Sequence, residues 1–572
     1  MNNKKAKSIA RLEYLTELYN SACLAAQPSI DEFDKYMRQY LGDSEIDGST
    51  ERATTVRNIT YEIIESEVNP DVPSPKVDPE CYTEKRGANA RTIERLCESI
   101  KERLPFEKLN DLDERYTYIM GASVWYVEWD SAIRSDEGVG DVRIHCLSPE
   151  SFIPEPGISE VDEMDHCFLK FTTTKSELVR RYGVAVGDLS LAACEYQYSE
   201  TGNLCDTVSV IVAFWKDDDG DVCKFTFSGS LILEDVEKYY YRRISTQKSE
   251  ALSPSEERAD KLLHYEMIDS KKLPEGFEDD ILIPYFVPKS FPIVIRKNTA
   301  ASPEVYGLSD CERIRPQQQA INKIESRILQ KLIRAGITPV IPEDASVTLN
   351  NSVFGQVIKM RPGESTENYG KIDTTPDISQ DIKEADRLYD QAKRVLGISD
   401  ALQGTDTTQA ESGYSRQLKI SRAASRLETK KRIKYHTYSK LYRLIFEHYL
   451  AFADEGRTLN ELDHYGNTRS YEFSRYAFIE PKPDGGYGYY SSYLFSVDLN
   501  DGTEYGREAL WERNLENLNT GTLGDKSSPE TLLRYWQSQE RAHYPYAREN
   551  VEYFKSILKE LNENKEKESE TT

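Results

Sequence analysis

Residues 414–455 constrain the fold most strongly, because they contain neither Gly nor Pro and their apolar residues recur at helical spacing. A helix of this length extends about 60 Å. Its thin apolar stripe cannot bury enough surface to stabilise an isolated helix. The pattern breaks at Lys430, Lys431 and Arg432, which predicts a kink or a change of surroundings. Repeating such a chain around an axis would let each copy of the helix pack against the next.

Composition limits the class of protein. The 572 residues include 98 acidic and 73 basic residues, a net charge of −25, and 38% hydrophobic residues are enough for several cores. The acidic balance argues against a simple nucleic-acid clamp, but it does not exclude a conduit that must not adhere to DNA. Nine scattered cysteines without a CxxC motif fit free thiols in a reducing cytoplasm. We expect no membrane partner, because no transmembrane-length apolar run or secretory signal is seen.

Residues 416–443 form a basic band in this acidic chain, with ten basic residues and one acid, Glu428. Four of its cations recur every four residues, and like charges at this spacing repel by about a few tenths of a kcal/mol per pair. DNA phosphates or acidic groups of a neighbouring subunit would offset the repulsion, while a solvated face is the alternative. We therefore predict a helix face near DNA or at a subunit seam, formed by Lys419, Arg422, Arg426, Lys430 and Lys434.

The order of predicted elements indicates a multidomain α+β fold. Helices are predicted over 8–41 and 84–104, and antiparallel strands over 121–129, 141–147, 166–171, 207–215 and 222–227, the last two forming a hairpin around Asp219-Gly220. Next come a helix over 317–335, with Pro316 at or before its first turn, a β-rich insert over 337–376 and a helix over 377–396. A small polar loop, 397–413, precedes the long helix. Further helices are predicted over 505–518, 528–541 and 546–563.

No motif predicts catalysis. The chain lacks a P-loop, a GxSxG and an HExxH motif. Acidic neighbours such as Asp113 and Glu114 keep a hydrolase with paired carboxylates as an alternative, which would need two acids converging in one cleft. Two His-Cys dipeptides, at 145–146 and 166–167, are poor zinc sites because adjacent strand residues face opposite ways. We predict no catalytic residue, no cofactor and no metal.

Three segments carry a family resemblance: Asp113–Asp130 (DERYTYIMGASVWYVEWD), Leu147–Pro156 (LSPESFIPEP) and Tyr306–Ile333. Together with the element order, they resemble the portal proteins of tailed double-stranded DNA bacteriophages over most of residues 50–560. The resemblance implies an N-terminal arm and first wing part (1–305), stem helix 1 (306–336), clip (337–376), stem helix 2 (377–396), tunnel loop (397–413), long wing helix and second wing part (414–502), and crown helices with a tail (503–572).

The resemblance also implies where DNA and partner proteins bind. The tunnel loop would face DNA through Gln403, Thr405, Asp406, Thr407 and Thr408, although a flexible linker is the alternative for this segment. Stem residues Lys323, Arg327 and Lys331 are candidates to line the channel. Docking through the clip is expected at Glu343, Asp344, Asn350, Arg361 and Glu364.

The implied protein is a virion component at one capsid vertex, assembled in the host bacterial cytoplasm as a homo-oligomeric ring, usually of twelve subunits. It would pass double-stranded DNA without sequence specificity during packaging and ejection. Its partners would be the large terminase subunit, head–tail connector proteins, and the major capsid and scaffolding proteins. It would not be an enzyme. Besides the hydrolase, the alternative is a structural capsid or tail adaptor, which would form a ring without the stem–clip excursion.

Overall fold

The computed structural model describes residues 2–43, 57–135, 138–198, 204–241, 265–269, 272–273, 280–300, 304–334, 337–338, 340–342, 358–360, 372–373, 377–398, 413–462, 468–482, 486–497, 507–541, 544, 547, 549–551 and 553–558. The chain divides into two compact units, Met1–Ser496 and Val497–Thr572. Helices make up 52% and strands 25% of the described residues, which confirms the α+β class. No helix among the described residues is long and apolar enough to cross a membrane.

The helices of the first unit match the main periodic stretches of the sequence. They are α1 (Asn2–Leu41), α2 (Ile59–Glu67), α3 (Glu84–Arg103), α4 (Phe106–Met120), α5 (Lys175–Tyr182), α6 (Asp310–Arg334), α7 (Ser379–Leu396) and α8 (Gly413–Phe452). The long stretch without Gly or Pro is one helix, α8. The predicted start of α6 is wrong, because Pro316 lies inside the helix. Acids in the first turn, Asp310 and Glu312, favour the earlier start, since they interact well with the positive helix end.

Two antiparallel sheets dominate the first unit. The strands up to α6 are β1 (Pro75–Pro79), β2 (Ala122–Ser135), β3 (Gly138–Leu147), β4 (Phe152–Pro154), β5 (His166–Thr174), β6 (Cys194–Tyr198), β7 (Leu204–Lys216), β8 (Val222–Ser228), β9 (Leu231–Val236), β10 (Tyr265–Ile268), β11 (Ile281–Pro284) and β12 (Ile293–Lys297). One sheet has the order β12-β2-β3, and the other has the order β4-β5-β7-β8-β9 with β6 also paired to β7. The predicted hairpin is confirmed as β7–β8, and Gly220 in its turn has a positive φ of 75°.

The main core lies between these sheets. Val124 and Tyr126 of β2 belong to the same buried cluster as Val212 and Phe214 of β7. Side chains alternate along a strand, so Trp125 points to the opposite face. There its ring packs against Tyr438 of α8 and Phe106 of α4, with centroids 5.5 and 6.4 Å away. The three-stranded sheet is therefore covered by the second sheet on one face and by α4 and α8 on the other.

Short strands form the remaining pairs. The segment between α6 and α7 contains β13 (Ile337–Thr338), β14 (Val340–Pro342), β15 (Ile358–Met360) and β16 (Ile372–Asp373), as the predicted β-rich insert requires. β13 pairs antiparallel with β16, and β14 parallel with β15. After α8 come β17 (Arg457–Leu462), β18 (Thr468–Phe473), β19 (Ile479–Pro481), β20 (Tyr487–Tyr489) and β21 (Tyr493–Val497). β17 pairs with β18, β19 with β20, and β21 with β1.

The second unit is helical where it is described. Its helices α9 (Arg507–Asn519) and α10 (Pro529–Arg541) match two predicted helices. Gln539 of α10 donates a hydrogen bond to the Trp511 carbonyl of α9 at 3.3 Å. The Trp511 ring also lies 5.0 Å from that of Tyr544. The hydrogen bond from Gln539 joins α9 and α10.

Candidate functional site

Two antiparallel helices, α6 and α7, flank the β insert. Ile328, near the end of α6, packs in one cluster with Ala385, near the start of α7. Ile321, two turns earlier in α6, packs in another cluster with Ala392 and Leu396 at the end of α7. The opposite order of these contacts defines the antiparallel pairing. Since β13 follows α6 directly and β16 directly precedes α7, the insert sits where this helix pair ends.

Ion pairs connect the same two helices. Asp381 in the first turn of α7 binds Arg327 at 2.9 Å and also Lys331, both on α6. The hydrogen bond from Lys331 lowers the pKa of the Asp381 carboxyl, and the nearby Arg327 charge adds to this. Lys323 is exposed on α6. Two of the three stem cations thus link the helices, and the channel role of all three stays a prediction.

A buried triad lies where α2, α6 and α8 meet. The Lys430 Nζ atom is 2.6 Å from Glu67 Oε2 on α2 and 2.6 Å from Asp310 Oδ2 on α6. The Tyr118 ring of α4 covers Lys430 at 4.7 Å. One ammonium faces two buried carboxylates. Among the described residues, the second oxygen of each carboxylate has no hydrogen-bond partner, and the Arg313 guanidinium lies 3.9 Å from that of Asp310. Burial and the negative charge of Asp310 outweigh Lys430 and raise the pKa of Glu67 to about 8.

A second buried network neutralises the acidic pair of α4. Arg296 of β12 contacts Asp113 Oδ2 at 2.5 Å and Glu114 Oε1 at 2.7 Å, and all three side chains are inaccessible to solvent. The Trp125 indole donates a further hydrogen bond to Asp113 at 2.9 Å. One guanidinium thereby pairs with two adjacent carboxylates inside the fold. They do not line an open cleft, which is what a hydrolase with paired carboxylates would need.

Lys434 of α8 completes this network. Its ammonium lies 3.1 Å from Glu114 and donates to the carbonyl oxygens of Asn69 and Asp71 at 3.1 and 2.8 Å. Burial lowers the pKa of Lys434 below its ordinary value, against the raising effect of Glu114. Burial alone would raise the pKa of Glu114, but the charges of Arg296 and Lys434 lower it. The two cations and the two carboxylates of this network balance in charge.

The structure corrects the prediction for the second half of the basic band. Lys430 and Lys434 were expected near DNA or at a subunit seam, but both ammonium groups bind carboxylates inside the chain. The repulsion between these two lysines is offset by carboxylates, and these carboxylates belong to the same chain. Lys419, Arg422 and Arg426 lie on α8, in the part where only the backbone is described.

The remaining predicted residues lie outside the described part of the chain. This applies to the tunnel-loop residues Gln403, Thr405, Asp406, Thr407 and Thr408. It applies equally to the clip residues Glu343, Asp344, Asn350, Arg361 and Glu364.

Sequence reasoning missed the pairing of the buried charges. Arg296 offered a signal, because it follows three apolar residues in the strand segment Ile293–Lys297, and a cation in such a strand indicates a buried partner. Glu67 and Asp310 offered none, since they resemble many other acids of this chain. Their pairing depends on contacts between residues more than a hundred positions apart.

Three acids of the β7–β8 turn form a separate cluster, Asp217, Asp219 and Asp221. The Lys238 ammonium lies 2.9 Å from Asp221 and within 3.7 Å of the other two, and Lys289 binds Asp221 at 2.6 Å. Two lysines therefore offset most of the negative charge of these three carboxylates.

The Lys430 triad predicts a pH-dependent stability. Glu67 has a folded-state pKa near 8, above its ordinary value of 4.5, so the folded chain holds a proton that the unfolded chain releases. Stability contributed by this proton is complete below pH 4.5 and is lost as the pH rises through 8. We expect Glu67→Gln to flatten the decline in stability between pH 6 and 8 by up to about 1.4 kcal/mol per pH unit. Chemical denaturation at a series of pH values measures this slope.

Glu65→Gln is the matched control on the same helix. Hydrogen bonds from Arg115 lower the pKa of Glu65, so this residue is ionised throughout that range. Its variant should keep the wild-type slope between pH 6 and 8. A Glu67→Gln variant with an unchanged slope would show that Glu67 is already ionised in the folded chain.

No protein-family model and no curated protein matches the chain.

Proposed function

We propose that this chain is the subunit of a portal ring of a tailed double-stranded DNA bacteriophage. The observation that supports this best is the antiparallel α6–α7 pair, which carries a small β insert and is followed by the 40-residue helix α8. A portal stem and clip would have this arrangement. In this proposal, the ring sits at one capsid vertex, passes DNA during packaging and ejection, and docks first the terminase and then head–tail connector proteins.

Exposed apolar side chains on the helix pair support assembly into a ring. Leu332 of α6, and Ile382 and Val395 of α7, are each about half exposed in the single chain. Contacts with neighbouring copies would remove these side chains from water, which is favourable by about 25 cal/mol per Å² of apolar surface. Identical neighbours related by a rotation can provide such contacts to every subunit of a closed ring.

The charge of the chain suits transport of DNA. A net charge of −25 disfavours tight binding to phosphate, because non-specific affinity grows with the number of phosphates that a protein neutralises. Lys430 and Lys434 are neutralised within the fold, which further reduces the positive charge available to DNA. A channel of this composition would let DNA slide.

Mass photometry and negative-stain microscopy of the purified protein test the proposal. We expect annular particles with a central channel and a mass near twelve times the 65.6 kDa of one chain. A chain that stays monomeric at every concentration and salt condition would contradict a portal. A monomer with hydrolytic activity would support the carboxylate hydrolase, and a ring without a projecting stem would support the structural adaptor.

Substitutions on the helix pair test the proposed seam. We expect Leu332→Lys combined with Val395→Lys to raise the concentration needed for ring formation at least about tenfold, because two buried ammonium groups would replace apolar contacts. Leu24→Lys on α1, another exposed leucine, is the matched control and should assemble normally. Circular dichroism would verify that each variant is folded. Normal assembly of the double variant would show that the α6–α7 pair does not lie at the interface between subunits.

A further inference from the structure

The buried triad lies where the last turn of α2 meets the first turn of α6. Asp310 is the first residue of α6, so the positive end of that helix favours its negative charge, and Arg313 lies 3.9 Å away. Glu67 is the last residue of α2, where the carbonyl groups of the helix end disfavour a negative charge. The two helix ends therefore assign the negative charge to Asp310 and a proton to Glu67.

The proton on Glu67 has an acceptor in Asp310. Lys430 Nζ lies 2.6 Å from one oxygen of each carboxyl group, which brings the two groups side by side. Burial raises the pKa of Glu67 to about 8, and the charge of Asp310 and a hydrogen bond with it add to this, against the lowering effect of Lys430. A protonated Glu67 that donates to Asp310 leaves one carboxylate and one ammonium, which balance in charge.

The groups around this pair keep their charge in the neutral pH range. Burial would lower the pKa of Lys430, but Asp310 and Glu67 raise it, so the ammonium stays charged. Burial raises the pKa of Tyr118 on α4 well above its ordinary value, so the phenol beside Lys430 stays neutral. The same ring lies 5.8 Å from Arg296, whose charge is balanced in the second buried network. Of these groups, Glu67 is the one whose charge changes as the pH rises through 8.

The same contact connects the α6–α7 pair to the rest of the first unit. Two isoleucines of α2, Ile59 and Ile63, pack in one cluster with side chains of both α6 and α7. Lys430 connects α8 to the two acids, and the Tyr118 ring connects α4 to Lys430. An ionised Glu67 would place two carboxylates beside one ammonium in a region closed to solvent, and water entering between α2 and α6 would relieve this cost.

We propose that Glu67 and Asp310 share one proton and, with Lys430, form a joint that fastens the start of α6 to α2 and α8. Loss of the proton opens this joint locally, while the sheets of the first unit stay folded. The joint makes the attachment of the α6–α7 pair respond to pH. It belongs to the fold of a single chain, so it goes beyond the proposed ring and is tested without ring assembly.

Infrared difference spectroscopy detects the shared proton through the carbonyl stretch of a protonated carboxylic acid. The wild type should show a band at pH 6 that disappears as the pH rises through 8 and that is absent from Glu67→Gln. Asp310→Asn should also lack the band at pH 6, because Lys430 then pairs with Glu67 alone and keeps it ionised. A band that persists in Asp310→Asn, or a wild type without the band at pH 6, would overturn the shared proton.

Hydrogen–deuterium exchange, expressed as protection factors, tests the local opening. Between pH 6 and 8, the amides of Ile314 and Ile321 on α6 should lose protection by up to about tenfold per pH unit, because the open joint releases a proton that the closed joint holds. Low urea concentrations should leave this exchange unchanged, since a local opening exposes little surface. The same urea concentrations should accelerate exchange at Val212 in the six-stranded sheet, which requires unfolding of the whole unit.

Two variants of α2 complete this test. Glu67→Gln should remove the pH dependence of exchange at α6, whereas Glu65→Gln should keep it, because Arg115 holds the pKa of Glu65 low. Equal urea sensitivity of the Ile314 and Val212 amides would show that the proton leaves only when the whole unit unfolds, which would overturn the joint. A pH dependence of wild-type size in Glu67→Gln would overturn it as well.

Discussion

Replacing Arg296 with Met is expected to destabilise the first unit by about 3–5 kcal/mol, the range found when one partner of a buried ion pair is removed. The Arg296 side chain is 1% exposed and neutralises Asp113 and Glu114, which are both fully buried. Without it, Lys434 alone would face two carboxylates. Thermal and denaturant unfolding of the purified variant measure the loss.

Two further variants separate the lost charge from lost packing. Arg180→Met removes an exposed arginine that pairs with Glu177, and its stability should match that of the wild type. Adding Asp113→Asn and Glu114→Gln to Arg296→Met removes both uncompensated charges and should recover a measurable part of the stability. If the triple variant were no more stable than Arg296→Met, a packing defect would explain the loss.

The second large effect is expected at Gly121, where α4 ends and β2 begins. Gly121 has a φ of +86°, and a Cβ atom there would lie 2.2 Å from the Gly307 carbonyl oxygen. Gly121→Ala should destabilise the chain by about 3 kcal/mol, because a left-handed backbone cost and a steric clash add together. The clash would also disturb the start of α6, since Gly307 precedes this helix by three residues. Thermal unfolding would detect the loss.

Gly183 provides the matched control for this substitution. It also ends a helix with a positive φ, +66°, but no atom lies within 4 Å of a Cβ placed there. Gly183→Ala should therefore cost only about 1 kcal/mol, the backbone contribution alone. If Gly121→Ala and Gly183→Ala lost the same amount of stability, the steric clash with Gly307 would contribute nothing to the loss.

Much of the local structure could be predicted from periodicity and turn residues. The stretch without Gly or Pro predicted α8, and alternating β-branched residues around Asp219-Gly220 predicted the β7–β8 hairpin. These patterns suffice because helix and hairpin contacts join residues close in sequence. The start of α6 was wrong for a local reason: Pro316 was given more weight than the acids of the first turn.

The roles of the charged residues could be predicted only in part. The spacing of Lys430 and Lys434 predicted partners for their charges, but it could not identify those partners. Lys430 binds acids of α2 and α6, and Lys434 binds an acid of α4. Whether a lysine faces DNA, a neighbouring subunit or a buried carboxylate depends on which distant elements pack around it.

By itself, the sequence determined that this chain contains one very long helix, a helix pair around a β-rich insert, and antiparallel sheets in an acidic protein. Only the tertiary structure decided that two lysines of that helix, Lys430 and Lys434, are internal ion-pair partners. The physical reason is the range of the interactions. Backbone periodicity acts over a few residues, whereas burial, charge pairing and strand order arise when distant segments come together.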